Sequence, residues 1–548
     1  MIDLFMGLKL GDITDTQLQS IHADYAKYSE AWEKCRDTAA GAIEVKSKTT
    51  RYLPKLGEKQ PDEVYKQQYL NPARWLPAVG STKESFVGLT MRKDPVYTVD
   101  TETEDQKEFL LDMAQNKVTE DGQSSNQVLR TLLEEIWTVN RVGVLEEFPT
   151  VDMDLMSWAE FRKRQLKWQS MIYKAENIIN WHFEVVDGEK IPVLWVLREE
   201  VNSGQVFSAN HEIQYRVLLL EPEESTQNGR KYVQLVFKED EKTKGSDTKK
   251  FVLEERHEPV SNGQYLEYIP FHILTSKGMI MDKIIDPLLY DLAEINLGHY
   301  RNTADYEHEL HKVSIKTVIF PGYDEEQGTP VLGESLMIDN PDAKPFILES
   351  TSTSPLSEEM TKKEQRMASI GAQMLAQKGR YVEAAETANI HAQGETSKVS
   401  EVAKELGDMW GQILTKKLQL SGYSAVILIN VNTDYYEERM TPQELEKAVA
   451  AVQAGKISQR AFYNYLDSLE FYPKDWTFEK EQEELARDSL GVINLSDEKY
   501  MELLDALEET QKRLEKLENV RLKFKVKTEA NNESADGNEE PTEESEEV

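Results

Sequence analysis

Apolar residues recur three and four apart from Leu18 through Ile21, Tyr25, Tyr28 and Trp32 to Cys35, which predicts one amphipathic helix over residues 14–45. Tyr52-Leu53-Pro54 breaks that pattern, and helical spacing returns near 78–90 and 105–137. Between 142 and 274 the texture changes. Val142–Phe148, Ile191–Val201, Ile213–Glu221, Lys231–Phe237, Lys250–Glu254 and Leu266–Leu274 read as strands. Turn formers such as Asn228-Gly229 and Ser261-Asn262-Gly263 separate them, so an antiparallel sheet module is expected here.

Helix is expected again at Asp286-Pro287, a carboxylate N-cap followed by proline at the first helical position, with Leu288, Leu292 and Ile295 on its apolar face. The pattern runs to about His311. A short β-containing insert spans Val313–Ser354, after which Ser357 is placed to cap a helix carrying Met360, Met367 and Met374 seven residues apart. Residues 379–394 are small and polar and read as a loop or broken helix. Val399, Val402, Leu406, Met409, Ile413 and Leu420 form another stripe, ended by Gly422, and Ala425–Val431 reads as a strand. Thr441-Pro442-Gln443-Glu444 is a capping box for a helix that stops near Gly455, and a second helix holds Phe462, Tyr465, Leu466 and Leu469. A last helix is expected from Ser496 to about Val520, followed by an acidic tail, 528–548, too polar to bury a core. No repeat of 20–50 residues is visible.

The chain has 548 residues with 64 Lys+Arg against 99 Asp+Glu, a formal net charge of −35. Such an excess opposes non-specific adhesion to phosphates and excludes a basic membrane-surface role. The single cysteine, Cys35, lies on the apolar seam of the first helix, so a buried thiol and no internal disulfide are expected. Met1-Ile2-Asp3 opens no targeting segment, and the longest apolar runs, Ile191–Leu197 and Ala425–Ile429, fall short of a membrane span, so a soluble, untargeted protein is expected.

Specific catalytic constellations are missing from the sequence. It contains no G-x-x-x-x-G-K-[ST], G-x-G-x-x-G or G-x-S-x-G. His308-Glu309-Leu310-His311 misses the H-E-x-x-H zinc spacing by one residue, and Asp152-Met153-Asp154 is an unremarkable pair among 99 acidic residues. No cofactor or metal is therefore expected. The helical pair at 442–470 would turn Glu444, Glu446, Asp467 and Glu470 toward phosphates, which favours a packed cap over a DNA reader. Carboxylates brought together by the fold leave an acidic soluble hydrolase as an open alternative.

Several strings together resemble bacteriophage portal proteins, in a branch catalogued as an uncharacterised phage domain. They are Tyr52-Leu53-Pro54, Tyr65 to Tyr69, and Val87 through Pro95. The most specific block is Asp286-Pro287-Leu288-Leu289-Tyr290-Asp291-Leu292-Ala293-Glu294-Ile295-Asn296-Leu297-Gly298-His299-Tyr300-Arg301, continuing through Ala304 to His308. Glu386-Thr387-Ala388 and Gly394-Glu395-Thr396-Ser397 add to it. The resemblance covers roughly residues 50 to 470.

What the resemblance implies is an α+β, mainly helical portal fold that assembles into a ring of about twelve subunits at one capsid vertex. The wing would be residues 1–280, with its sheet at about 142–275. Stem helices would be 283–312 and 357–378, with the clip, 313–356, between them. The tunnel loop would be 379–395, the long wing helix and strand 396–440, the helical crown 441–527, and the disordered acidic tail 528–548. The implied partners are further copies of the chain, double-stranded DNA in the channel, the terminase large subunit, the major capsid protein and head–tail adaptors, with no membrane. Implied function is a passive conduit for DNA packaging and ejection, with no catalytic residue, in a virion assembled in a bacterial cytoplasm. Lys362, Lys363 and Arg366 on the second stem helix, and Lys378 and Arg380 at the tunnel loop, are the candidate DNA-facing positions. Another virion structural or adaptor protein is the remaining alternative.

Overall fold

The computed structural model describes residues 11, 13–101, 104–147, 168–186, 188–202, 211–240, 243, 250–261, 263–280, 282–314, 317–321, 335–338, 347–348, 354–375, 398–433, 435, 442–468, 472 and 476–491. The chain divides into two compact units, residues 1–435 and 436–548. The segment expected as a tunnel loop, 379–395, the helix expected from Ser496, the acidic tail and most of the insert expected as a clip, 313–356, lie outside the described residues.

In the first unit, the helix expected over 14–45 is three helices: Asp15–Leu18, α1 (Ala23–Ala40) and Ala42–Ser47. Two local interactions cut it. Thr14 and Gln17 form a capping box that closes on a single turn, and the His22 backbone N–H leaves helical geometry to donate to the Ile179 carbonyl at 2.9 Å. The second break is Gly41, whose φ of +97° no continuing helix tolerates. Ile21 consequently points to solvent at 55% exposure, while Trp32 and Cys35 stay fully buried. Burial pushes the Cys35 thiol up to about 12, as expected of an inert core thiol.

Next come α2 (Ala78–Thr90), strand β1 (Val96–Thr101), a helix at Lys107–Gln115 and α3 (Ser125–Val139). Ser124 and Gln127 form a capping box for α3, and Asn140 ends it with a left-handed backbone, φ +57°. The chain turns there directly into β2 (Val142–Glu147). The sheet module holds β2, β3 (Gln169–Lys174), β4 (Ile178–Val186), β5 (Glu189–Asn202), β6 (His211–Pro222), β7 (Arg230–Glu239), β8 (Phe251–His257), β9 (Phe271–Thr275) and β10 (Gly278–Met279). It forms two large sheets, four strands in the order β10-β9-β2-β3 and an antiparallel meander β4-β5-β6-β7-β8, and a short two-stranded ribbon of Val260–Ser261 with Gln264–Tyr265. The Asn228-Gly229 turn between β6 and β7 is present, with Gly229 at φ +65°. The run expected from Leu266 yields strand only from Phe271, because Pro270 precedes it and cannot donate to a ladder.

The two sheets share a core around Trp181, Trp195 and Phe271, with Trp195 and Phe271 edge to face at 5.1 Å. Gly143 exists to admit that ring: a methyl group there would lie 2.4 Å from the Phe271 Cζ. The larger helical core gathers Phe86, Trp137, Leu292, Met367 and Trp410 from five helices. These include α4 (Tyr290–Ser314), α5 (Ser354–Leu375) and α6 (Lys398–Leu420).

α4 begins four residues after Asp286, whose carbonyl is held by the Asn140 amide at 2.9 Å. α5 begins at Ser354, ahead of the expected Ser357, because Pro355 is compatible with the first helical turn. Between them three short strands form a small sheet, with Thr317–Pro321 parallel to Ser335–Ile338 and antiparallel to Ile347–Leu348. β11 (Ala425–Asn430) follows α6 and pairs with β1, Val96 opposite Asn430, a two-stranded ribbon whose inner face packs on α6. In the second unit, helices Pro442–Gln453, Gln459–Ser468 and Phe478–Gly491 are described. Gly455, φ +68°, ends the first of these, and Tyr463 stacks on Tyr472 at 4.6 Å.

Candidate functional site

Because the most specific sequence block falls on α4, the helix pair α4 and α5 is where a functional surface is sought. Leu289 just before α4, and Leu292, Ala293, Leu297, Tyr300 and Ala304 along it, are buried. They recur three and four apart, so one face is committed to packing. Polar contacts join the pair: His299 Nε2 meets Glu364 Oε1 at 3.0 Å, and Lys363 Nζ donates to the Gly298 carbonyl at 3.3 Å. With the Asn302 amide turned to satisfy both its ends, its oxygen also accepts from Lys363 Nζ at 3.0 Å. Gly298 makes room for this ammonium, which lies 3.5 Å from where a Cβ would stand.

This arrangement divides the candidate cations. Lys363 is turned into the helix pair. Lys362 and Arg366 are exposed on α5, on the side away from Met367, which is buried. Met360 is half-buried, and a methyl group on Gly371 would lie in ordinary contact, 3.8 Å, with the Thr82 side chain of α2. Lys378 and Arg380 lie outside the described residues.

Sequence reasoning missed what supports α4 from the other side. Arg301 Nε donates to the Tyr52 carbonyl at 2.9 Å, the Tyr69 hydroxyl donates to Asp305 Oδ1 at 2.6 Å, and Trp75 meets Tyr300 edge to face at 5.6 Å. The Tyr52-Leu53-Pro54 and Tyr65–Tyr69 strings thus dock on the Leu297–Asp305 stretch. Both had been visible as strings, but nothing in one sequence says that they touch.

A second construction seats α6. Gly407 and Gly411, one turn apart, let the helix lie against the β11 backbone: a methyl group on either would come within 2.9 and 2.8 Å of the Ile429 and Ile427 carbonyl oxygens. Near its end, Lys417 is buried with Glu146 and Ser170. Its Nζ donates to the Val118 carbonyl at 2.8 Å and to Ser170 Oγ at 3.2 Å, and stands 3.8 Å from Glu146 Oε2. Ser170 Oγ donates to Glu146 Oε1 at 2.6 Å. Burial pushes the Glu146 carboxyl up and the Lys417 ammonium down, and their mutual attraction opposes both shifts.

A serine, a lysine and a carboxylate within hydrogen-bond reach have the composition of a nucleophile and its base, but all three are 5% exposed or less, so no substrate reaches them. They clamp α6 to β2 and β3. A cavity of about 110 Å³ beside the Asp15–Leu18 turn is lined by Ile13, Gln17, Leu18, Ser20, Asn180, Leu194, Val196 and Val217, none of them ionisable. It does not offer the paired carboxylates a hydrolase needs. Among the described residues no cluster of three His, Cys, Asp or Glu is arranged to hold a metal. His308 of the His308/His311 pair packs edge to face on Tyr69 at 5.8 Å, and the Asp152/Asp154 pair lies outside the described residues. No described helix is long and apolar enough to cross a membrane.

The segment that carries α4, the small sheet, α5 and most of α6 also has a counterpart among known families. Residues 287–419 match the domain of unknown function DUF4055. No curated protein matches the sequence. Among solved structures, similarity is found to a chain of the neck of an empty gene transfer agent particle solved with C6 symmetry, at 10% identity and TM-score 0.35, over 76% of this chain and 95% of that one. A chain of the native particle's neck, solved with C12 symmetry, matches at 10% identity and TM-score 0.33, over 74% and 92%. A chain of the virion of the native particle matches at 10% identity and TM-score 0.34, over 79% and 100%.

Proposed function

We propose that this chain is the portal subunit of a tailed phage or a phage-like particle, a ring-forming connector through which DNA is packaged and ejected. The observation that carries the reading is the element order inside the family-matched span: helix, small β insert, helix, then a long helix seated on the wing, in register with the blocks that resemble portal proteins. On this reading α4 and α5 are the stem, the three short strands belong to the clip, α6 is the long wing helix, and the helices from Pro442 to Gly491 belong to the crown.

The physical demands of such a conduit suit the chain. DNA must slide without sticking, and a net charge of −35 per subunit keeps phosphates from settling on the wall. Lys362 and Arg366 supply a sparse basic stripe on the exposed face of α5, and Lys378 and Arg380 are the further basic positions at the tunnel loop. The partners are neighbouring copies, the passing duplex, the terminase large subunit, the major capsid protein and head–tail adaptors. Work is done by the packaging motor, so the portal itself needs no catalytic group.

The test is the size and shape of the purified protein. A particle about twelve times the 63.0 kDa chain, with a central hole wide enough for duplex DNA in electron-microscope images, is the expected result. A chain that stays monomeric at high concentration and in the presence of capsid protein overturns the proposal. Closed particles without a through-channel would favour another virion structural or adaptor role.

A further inference from the structure

Among the described residues of the first unit, the guanidinium groups of Arg36, Arg216 and Arg141 are held inside the fold, and two of them follow the ordinary rule for a buried charge. Arg36 bridges Glu135 and Glu176, and Arg216 bridges Glu199 and Glu147. Arg141 breaks the rule. It is the most deeply buried of the three, at 1% exposure, and none of its three guanidinium nitrogens has a protein acceptor. Its one close partner is the face of Trp181, 4.6 Å from the guanidinium carbon to the ring centre. His22 is stacked on the same indole at 4.0 Å, with Nδ1 3.8 Å from Asp24 Oδ2. Asp24 acts on Arg141 only through its field, and its exposed carboxylate makes no ion pair with the guanidinium.

The charge is nevertheless present. Burial draws the Arg141 guanidinium down to about 10, which leaves it protonated at neutral pH. A protonated guanidinium offers five N–H donors, and burying them unpaired is far more unfavourable than a single cation–π contact can offset. This happens in a chain with 99 carboxylates, where a protein counter-ion was easy to supply.

We propose that Arg141 forms an anion site that takes one small monovalent anion of the halide class. The class follows from the surroundings. Near-complete burial selects a small, weakly hydrated ion of single charge over phosphate or sulfate, whose second charge would have to be desolvated as well. A carboxylate from another chain cannot reach a group that is 1% exposed. The position gives the ion a structural role: Asn140, the preceding residue, donates to the Asp286 carbonyl at 2.9 Å and accepts from the Ser276 N–H at 2.7 Å. An anion on Arg141 therefore steadies the point where α3, the sheet module and the approach to α4 meet.

The experiment is thermal unfolding of the full chain in sodium chloride and in sodium gluconate at one fixed ionic strength. The melting temperature should rise saturably as chloride replaces gluconate, by about 2 °C or more, and Arg141→Met should remove the response. A native protein indifferent to the exchange overturns the site, as does an equal response in Arg141→Met, which would mean an adventitious ion only. Should Arg141→Met not fold, bromide provides the second measurement on the native protein. Anomalous scattering should place a bromide within hydrogen-bond reach of the guanidinium, and an empty site at saturating bromide overturns the proposal. Neither readout depends on ring formation, so the portal reading stands or falls separately.

Discussion

The Tyr69 hydroxyl donates to Asp305 Oδ1 at 2.6 Å, a contact that joins two segments 236 residues apart and fixes the middle of α4 to the N-terminal part of the chain. Burial and the Asp305 charge both hold the Tyr69 phenol above its ordinary value, so it is a donor at any pH the protein meets. Tyr69→Phe keeps the ring and removes only this bond. The expected loss is about 1.5–3 kcal/mol, the range for a hydrogen bond to a charged acceptor, read as a lower urea midpoint at unchanged slope. Tyr69→Phe combined with Asp305→Ala should lose less than the two single losses added together, because the bond can be broken only once.

Two glycine substitutions of opposite sign test the seat of α6. A methyl group at Gly411 would lie 2.8 Å from the Ile427 carbonyl oxygen, so Gly411→Ala must push the helix off β11 and should destabilise by about 1–3 kcal/mol. Gly88, in α2, has open space around its Cβ position. Gly88→Ala should therefore stabilise, by about 0.5–1 kcal/mol, through helix propensity alone. Equal effects at the two sites in urea unfolding would contradict the close approach.

The Lys417–Glu146 clamp should show the asymmetry of buried ion pairs. Lys417→Met leaves Glu146 charged or forced to take up a proton, with Ser170 as its remaining donor, and should lose about 3–5 kcal/mol. The double variant Lys417→Met with Glu146→Leu removes both charges and should recover part of that loss. Chemical denaturation of the native protein and the two variants gives the answer, and a double variant no more stable than Lys417→Met would refute the clamp.

How much of this was legible in the sequence depends on the range of the interaction. The stripe Val399, Val402, Leu406, Met409 and Ile413 is buried as its spacing predicts, and the Asn228-Gly229 turn stands where the dipeptide puts it, since both are local. The Gln169–Lys174 and Ile178–Val186 strands escaped notice because Asn177, Asn180, His182 and Glu184 dilute their apolar alternation. Pairing of β1 with β11 was invisible for another reason: Val96 and Asn430 are brought together by the whole intervening fold. Likewise, Ile21 fitted a helical seam by spacing, yet a long-range bond from His22 to Ile179 bends the chain and exposes it.

Acid stability should carry the signature of His272. Burial, with a smaller contribution from Lys416, holds this imidazole down to about 3, against 6.5 for the free side chain. The folded protein keeps it neutral, so below pH 6.5 the unfolded chain takes up a proton that the folded chain refuses. The contribution is intact above pH 6.5 and is lost as pH falls toward 3, at up to about 1.4 kcal/mol per pH unit. His272→Leu removes that component. The difference in unfolding free energy between native protein and variant should therefore be constant above pH 7 and shrink progressively between pH 6 and pH 4. A difference that does not change with pH would remove His272 as the cause.

The three cations of α5 provide the last prediction, because the helix pair assigns them different work. Lys363 is spent on the Gly298 carbonyl and the Asn302 amide, so Lys363→Ala should loosen α4 from α5 and lower stability by about 1 kcal/mol. Lys362 and Arg366 are exposed on the other side. Lys362→Glu with Arg366→Glu should leave the unfolding midpoint within about 0.5 kcal/mol of the native value. If the exposed stripe of α5 faces passing DNA, the same double reversal makes a ring of normal size but changes the amount of DNA retained in assembled particles, and the change grows as salt is lowered, because phosphate contacts are screened by salt. If the stripe instead faces the neighbouring subunit, the reversal breaks rings in native mass spectrometry before any DNA enters. Unchanged rings together with unchanged DNA retention would take both positions out of the channel wall and leave Lys378 and Arg380 as the basic positions to test.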